Sequence, residues 1–176
     1  MFVSETYTLQ DLWFYDPLTS DSGHWNWDST TTHTYSNNGV NFKRSSGTGN
    51  VFNTCKIDLP SEFEAEITYM GGTAYTIETI FGGMGWTYDV ANQRSWGYYR
   101  TSTDNTQDQH NITINGTVSV GDVFKFVRQN GTLKIYQNDV EKWSMTAPTP
   151  LYDKIVFQTY ANSRNTTLKD LKVKPL

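Results

Sequence analysis

The chain predicts an all-β fold, a sandwich or barrel of short antiparallel strands. Three observations carry this. Apolar residues alternate with a period of two in many short runs. Turn dipeptides separate those runs at regular intervals. No run holds a helical spacing for more than a turn. The clearest instance is GDVFKFVRQNGTLKIYQNDVEKW, Gly121 to Trp143. Phe124 and Phe126 fall on one face, with Val123, Lys125 and Val127 on the other, the pattern of a half-buried antiparallel strand. Asn130-Gly131 follows, a pair that tolerates positive φ at both central positions and so closes a two-residue hairpin. Leu133 and Ile135 then oppose Lys134 and Tyr136, and Asn138-Asp139 turns the chain again into Val140–Met145.

The remaining elements are read the same way, in order. Strands are expected at Phe2–Leu9, Leu12–Tyr15, Trp25–Asp28, Gly39–Arg44, Asn53–Leu59, Glu62–Met70, Tyr75–Phe81, Arg94–Thr101 and His110–Ile114. Toward the C-terminus come Lys154–Tyr160 and Thr167–Val173. Turns are expected at Asn37-Asn38-Gly39, Gly47-Thr48-Gly49, Gly71-Gly72, Gly82-Gly83 and Asn115-Gly116, and at most one helical turn, near Asp89–Gln93 or Ser61. No internal repeat or linker interrupts the pattern, so residues 1–176 read as one domain. A chain of 176 residues buries roughly 70% of its unfolded surface.

Composition narrows the function classes. Charged residues are 18% of the chain and aromatics 15%, so polarity rests on Thr, Asn, Ser and Gln. That balance suits sugar-facing β-surfaces. The net charge of −4, with no Lys/Arg run longer than two, disfavours nucleic acid, which needs clustered cations. No apolar stretch is long enough to span a bilayer, so no membrane insertion is expected. The start MFVSETYTLQDLW lacks the basic and apolar regions of a signal peptide. Cys55 is the single cysteine, read as a small buried hydrophobe without disulfide or metal role.

The motifs D-P-L-T-S followed by a Trp, F-E-A-E-I-T after a Pro, G-D-V-F-K-F-V-R with its hairpin, and the closing I-V-F-Q and L-K-D-L-K-V resemble the concanavalin A-like jelly-roll domains. The resemblance covers most of the chain as a strand pattern. It implies two antiparallel sheets, one concave with an open groove, and a group that holds lectins, carbohydrate-binding modules, glucanases, laminin G-type modules and viral surface domains. Fold alone does not choose among these.

The aromatic stretch GGMGWTYDVANQRSWGYYR supplies the main candidate site. One face of its strand reads Arg94, Trp96, Tyr98, Arg100. Two arginines bracketing aromatic rings argue for a wet surface, because an unpaired buried charge is costly. Trp96 and Tyr98 are expected to stack on sugar rings, with Trp86 and Tyr88 folding over the rim. Arg94, Arg100, Gln158 and Tyr160 would bond hydroxyls, with Glu78 joining from its own strand. The competing reading puts Trp96 and Tyr98 in the inter-sheet core. Trp25 and Trp27 either form a second platform or pack their strand onto the body. The chain is thus expected to bind glycan without catalysis, as an adhesion or host-recognition module at an extracellular, cell-surface or virion location.

Two alternatives stay open. One is a structural decoration or adsorption protein that assembles as a homo-oligomer. The other is a glycoside hydrolase. Glu62, Glu64 and Glu66 share one strand face, and the resemblance to jelly-roll glucanases would make Glu62 and Glu66 nucleophile and acid, although Glu64 stands where those enzymes carry Asp. The same resemblance nominates Asp16, Asp21 and Asp170 for calcium. His24, His33 and His110 are too widely spaced to pair on a metal. N-x-T triplets at Asn111, Asn115, Asn130 and Asn165 read as turn composition.

Overall fold

The computed structural model describes residues 12–45, 47, 49, 51–73, 77–89, 94–99, 108–114, 117–147, 152–159 and 165–176, and of residues 77, 78, 94 and 108–114 the backbone alone. The expected strand Phe2–Leu9, the Asn115-Gly116 turn, and Arg100 and Tyr160 lie outside the described residues, as do Thr48 and residues 90–93 of the expected Gly47-Thr48-Gly49 and Asp89–Gln93 turns.

Fifteen strands and no helix occur among the described residues: β1 (Phe14–Asp16), β2 (Trp25–Asn26), β3 (Thr31–Ser36), β4 (Gly39–Arg44), β5 (Val51–Asp58), β6 (Phe63–Gly72), β7 (Ile77–Phe81), β8 (Met84–Asp89), β9 (Arg94–Tyr99), β10 (Asp108–Ile114), β11 (Val123–Gln129), β12 (Thr132–Gln137), β13 (Val140–Thr146), β14 (Lys154–Thr159) and β15 (Asn165–Pro175). Their pairings are antiparallel and build two sheets. The eight-stranded sheet runs β13-β12-β11-β6-β15-β4-β3, with β1 alongside β15; the seven-stranded sheet runs β10-β9-β8-β7-β14-β5-β2.

Turn chemistry sets the hairpins. Asn130 and Gly131 have φ of 50° and 69°, and Asn138 and Asp139 have 50° and 63°, so both turns are of the primed kind that matches strand twist. Asp122 fastens the base of these hairpins, accepting from Ser119 N (2.8 Å), Gln137 Nε2 (2.7 Å) and Asn138 Nδ2 (2.7 Å). Burial pushes the Asp122 carboxyl up, but these three donors outweigh it and hold it below the usual range.

Two strands depart from the expectation. Thr31–Ser36 carries no apolar alternation because it is the edge strand β3, paired only with β4. Met84–Asp89 is a strand, not a loop, and Gly71-Gly72 ends β6 instead of turning. Near Ser61 the chain bends without forming a helix.

The sheets meet face to face through rings. Trp86 stacks on Phe124 with centroids 3.7 Å apart, Phe81 meets Phe126 at 4.5 Å, and Phe42 stacks on Phe157 at 5.3 Å. Gly97 faces this core, because a β-carbon there would sit 2.6 Å from the Trp143 ring. Trp25 packs on the body, stacked on Phe157 at 4.1 Å, while Trp27 lies against His33 at 4.3 Å and Phe42 at 5.8 Å.

Two buried charges tie the layers. Arg128 follows Phe124 and Phe126 on the core side of β11 and is 3% exposed. Its Nε donates to Ser61 O and Nη1 to Tyr152 O, both at 2.7 Å, and Nη2 donates to Pro60 O. Its Cζ lies 4.9 Å from the Phe63 ring centre. Asp16, 1% exposed at the end of β1, accepts from Leu18 N (2.9 Å), Ser22 Oγ (2.6 Å) and Trp25 Nε1 (3.1 Å).

Candidate functional site

The candidate site is the outer face of the seven-stranded sheet. On β9, Ser95, Gly97 and Tyr99 turn inward, so Trp96 and Tyr98 stand on the outer side by strand alternation. Register carries this face across the sheet in two rows. One runs Trp96, Thr87, Glu78, Gln158, Phe52 over strands β9, β8, β7, β14 and β5. The other runs Tyr98, Gly85, Ile80, Val156, Thr54 over the same strands. At the strand spacing, Trp96 and Gln158 are about 14 Å apart.

The second row makes an apolar floor. Ile80, Tyr98 and Val156 are 1%, 3% and 0% exposed and cluster apart from the main core, with Phe52 and Tyr152 packed against them. Gly85 makes the floor flat: a β-carbon there would lie 2.0 Å from a Tyr98 ring carbon, so the ring rests directly on the backbone of β8. Gly85→Ala is expected to lift the Tyr98 ring and cost about 1–3 kcal/mol; urea unfolding of the variant measures this, and an unchanged midpoint would mean the ring does not lie there. Trp96, in the first row, is only partly buried.

The residues named from sequence divide as follows. Trp96 and Tyr98 share the outer face, but Tyr98 is sealed within the floor instead of standing in water. Gln158 is on this face and 3% exposed. Arg94 occupies the register position opposite Asp89, and its side chain lies outside the described residues, as do Arg100 and Tyr160 entirely. Trp86 and Tyr88 are corrected outright. They belong to β8, are 1% and 3% exposed, and fill the core between the sheets because Met84, Trp86 and Tyr88 share the inward side. Thr87 and the floor residue Ile80 were missed. The signal for them was the outward parity of β8 and β7, hidden by the glycines around Met84.

The acidic stripe is also corrected. Glu64 and Glu66 lie on β6 of the eight-stranded sheet, which pairs with β11 and β15, and Glu62 immediately precedes that strand. They are therefore on the other side of the molecule from Trp96. Glu62 accepts from Asn130 N at 2.8 Å and so holds a hairpin turn. Lys125 Nζ lies 3.8 Å from Glu64, 3.6 Å from Glu66 and 3.0 Å from Asp139, and Lys172 lies 3.7 Å from Glu66. Burial alone would lower the Lys125 pKa, but these carboxylates raise it on balance. Glu62 and Glu66 are structural partners here, not a nucleophile and acid facing a groove.

For calcium, the nominated acids do not converge. Asp16 spends both oxygens on the donors described above, Asp21 accepts from Gly23 N at 2.9 Å, and Asp170 accepts from Tyr15 Oη at 3.0 Å. Among the described residues no group of three His, Cys, Asp or Glu is placed to hold a metal ion.

This architecture, two antiparallel sheets closed over an aromatic core, is a jelly-roll β-sandwich. Solved structures share it across most of the chain. The Crh5 transglycosylase in complex with NAG superposes with a TM-score of 0.73 at 8% identity, over 92% of this chain and 83% of that one. The Bacillus licheniformis β-glucanase gives 0.65 at 10% identity, over 93% and 98%. The carbohydrate-binding module CBM66 from Bacillus subtilis gives 0.61 at 12% identity, over 86% and 95%. At these identities the likeness establishes the fold alone. No protein-family model and no curated protein sequence matches the chain.

Proposed function

We propose that the outer face of the seven-stranded sheet binds a saccharide chain. The observation that carries this is a partly exposed indole, Trp96, at one end of a polar row laid beside a flat, apolar floor. Trp96 offers a stacking surface for the C–H face of a sugar ring. Thr87, partly exposed beside it, supplies a hydroxyl. Covering about 100 Å² of apolar surface contributes roughly 2.5 kcal/mol before ordering costs, which points to affinities of order μM to mM. The presence of a carbohydrate-binding module and of a NAG-bound transglycosylase among proteins of the same fold supports the ligand class. We assign the protein a role in recognising extracellular or surface glycans, the setting in which a Thr- and Asn-rich, weakly charged β-surface is at home.

Trp96→Ala is expected to weaken retention on polysaccharide gels or a glycan array by about tenfold, with the circular dichroism melt unchanged. Retention equal to wild type would remove Trp96 from the role and the reading with it.

A further inference from the structure

We infer a second saccharide-contacting surface, on the outer face of the eight-stranded sheet, built by Trp13 and Tyr15 beside a cleft of lysines and glutamates. It shares a ligand class with the site above but none of its residues. Trp13 and Tyr15 are 48% and 37% exposed, the only aromatics among the exposed large hydrophobic side chains of the described residues. Phe14 between them is buried, so the two rings take the same, outward side, with α-carbons about 7 Å apart.

Register sets a lysine and a glutamate beside Tyr15. Tyr15 pairs with Lys172, which pairs with Glu66. One residue before the ladder begins, the Trp13 N–H donates to Val173 O at 2.9 Å, one position off the register, and the neighbouring Lys174 pairs with Glu64. Beside the rings is a shallow cleft, with room for about one water molecule, lined by Leu12, Glu64, Glu66, Lys172 and Lys174. Tyr15 is held in place by its hydroxyl, which donates to Asp170 Oδ1.

The chemistry fits a neutral, hydroxyl-rich chain. With Lys125 and Asp139 alongside, three ammoniums donate and three carboxylates accept, and their charges cancel, so a polyanion or polycation gains nothing from the cleft. Sugar hydroxyls both donate and accept, and two rings at this spacing meet successive sugar units. A protein partner is a poorer fit, because two rings fall well short of the roughly 800 Å² that a stable interface takes from each side. Sites on both faces of one sandwich would let a single molecule bridge two polysaccharide strands.

Affinity electrophoresis tests this in gels cast with barley β-glucan, yeast mannan or birchwood xylan, using wild type, Trp13→Ala, Trp96→Ala and the double variant. The expected result is retardation of wild type in at least one gel, a dissociation constant weakened about tenfold by each single change, and none left in the double variant. Trp13→Phe should restore most of the binding, and thermal melts confirm that Trp13→Ala folds. If Trp13→Ala runs as wild type while Trp96→Ala is weakened, the second surface is overturned and the first site stands. If only Trp13→Ala is weakened, the second surface stands alone. Wild-type mobility for both singles, or no retardation of wild type in any gel, overturns both.

Discussion

Arg128→Met is expected to destabilise the protein by about 4 kcal/mol, lowering its melting temperature by roughly 10 °C. The guanidinium is buried, and burial pushes its pKa down, opposed by the charges of Tyr99 and Asp153. It has no carboxylate at hydrogen-bond distance among its three described acceptors, which are the carbonyls of Pro60, Ser61 and Tyr152. Those carbonyls belong to the link from β5 to β6 and to the approach to β14, so one side chain of the eight-stranded sheet holds segments leading into the other. Methionine fills the volume but leaves three buried acceptors without a donor. Lysine keeps the charge yet cannot reproduce the planar fork, so Arg128→Lys should recover less than half of the loss. Urea unfolding followed by tryptophan fluorescence measures both. An unfolding free energy for Arg128→Met within about 1 kcal/mol of wild type would show that the carbonyls find water and that the clamp is dispensable.

Asp16→Ala follows, with an expected loss of about 3 kcal/mol. The carboxylate joins β1, in the eight-stranded sheet, to the indole of Trp25, in the seven-stranded one, and orders the intervening loop through Leu18 N and Ser22 Oγ. Alanine strands the buried indole N–H. Asp16→Asn keeps the shape and one acceptor oxygen and should lose roughly half as much. Near-ultraviolet circular dichroism provides a local readout, because Trp25 stacks on Phe157 and its signal should change before global unfolding. Equal stability of Asp16→Ala and wild type would demote the aspartate to a bystander. Added calcium should leave the midpoint of wild type where it is, since both oxygens already have partners.

What could be read from the sequence divides along physical lines. Turn chemistry is local, so Asn130-Gly131 and Asn138-Asp139 announced their hairpins, and the alternation of Phe124 and Phe126 announced the core face of β11. That same alternation put Arg128 on the core side, a warning of a buried charge that was there to be seen. Trp86 and Tyr88 were misjudged because their strand carries Gly85 on its outer side, where a side chain would have completed the pattern; the space it vacates is taken by Tyr98 from the neighbouring strand. The shared face of Glu62, Glu64 and Glu66 was legible from their spacing. Which sheet they joined was not, since that depends on pairing with β11 and β15, far along the chain. Asp16 looked like a loop acid because its chief partner, the Trp25 indole, is fixed by tertiary packing.

The placement of β15 has a bearing on how the molecule comes into being. This last strand is interior to its sheet, flanked by β6 on one side and by β4 and β1 on the other. Until residues 165–175 have been synthesised, those three strands present unmet amides to one another across a gap that nothing earlier can fill. Assembly of this sheet on the ribosome therefore waits for residues 165–175, and a nascent chain halted before them would display sticky strand edges that invite chaperones or aggregation.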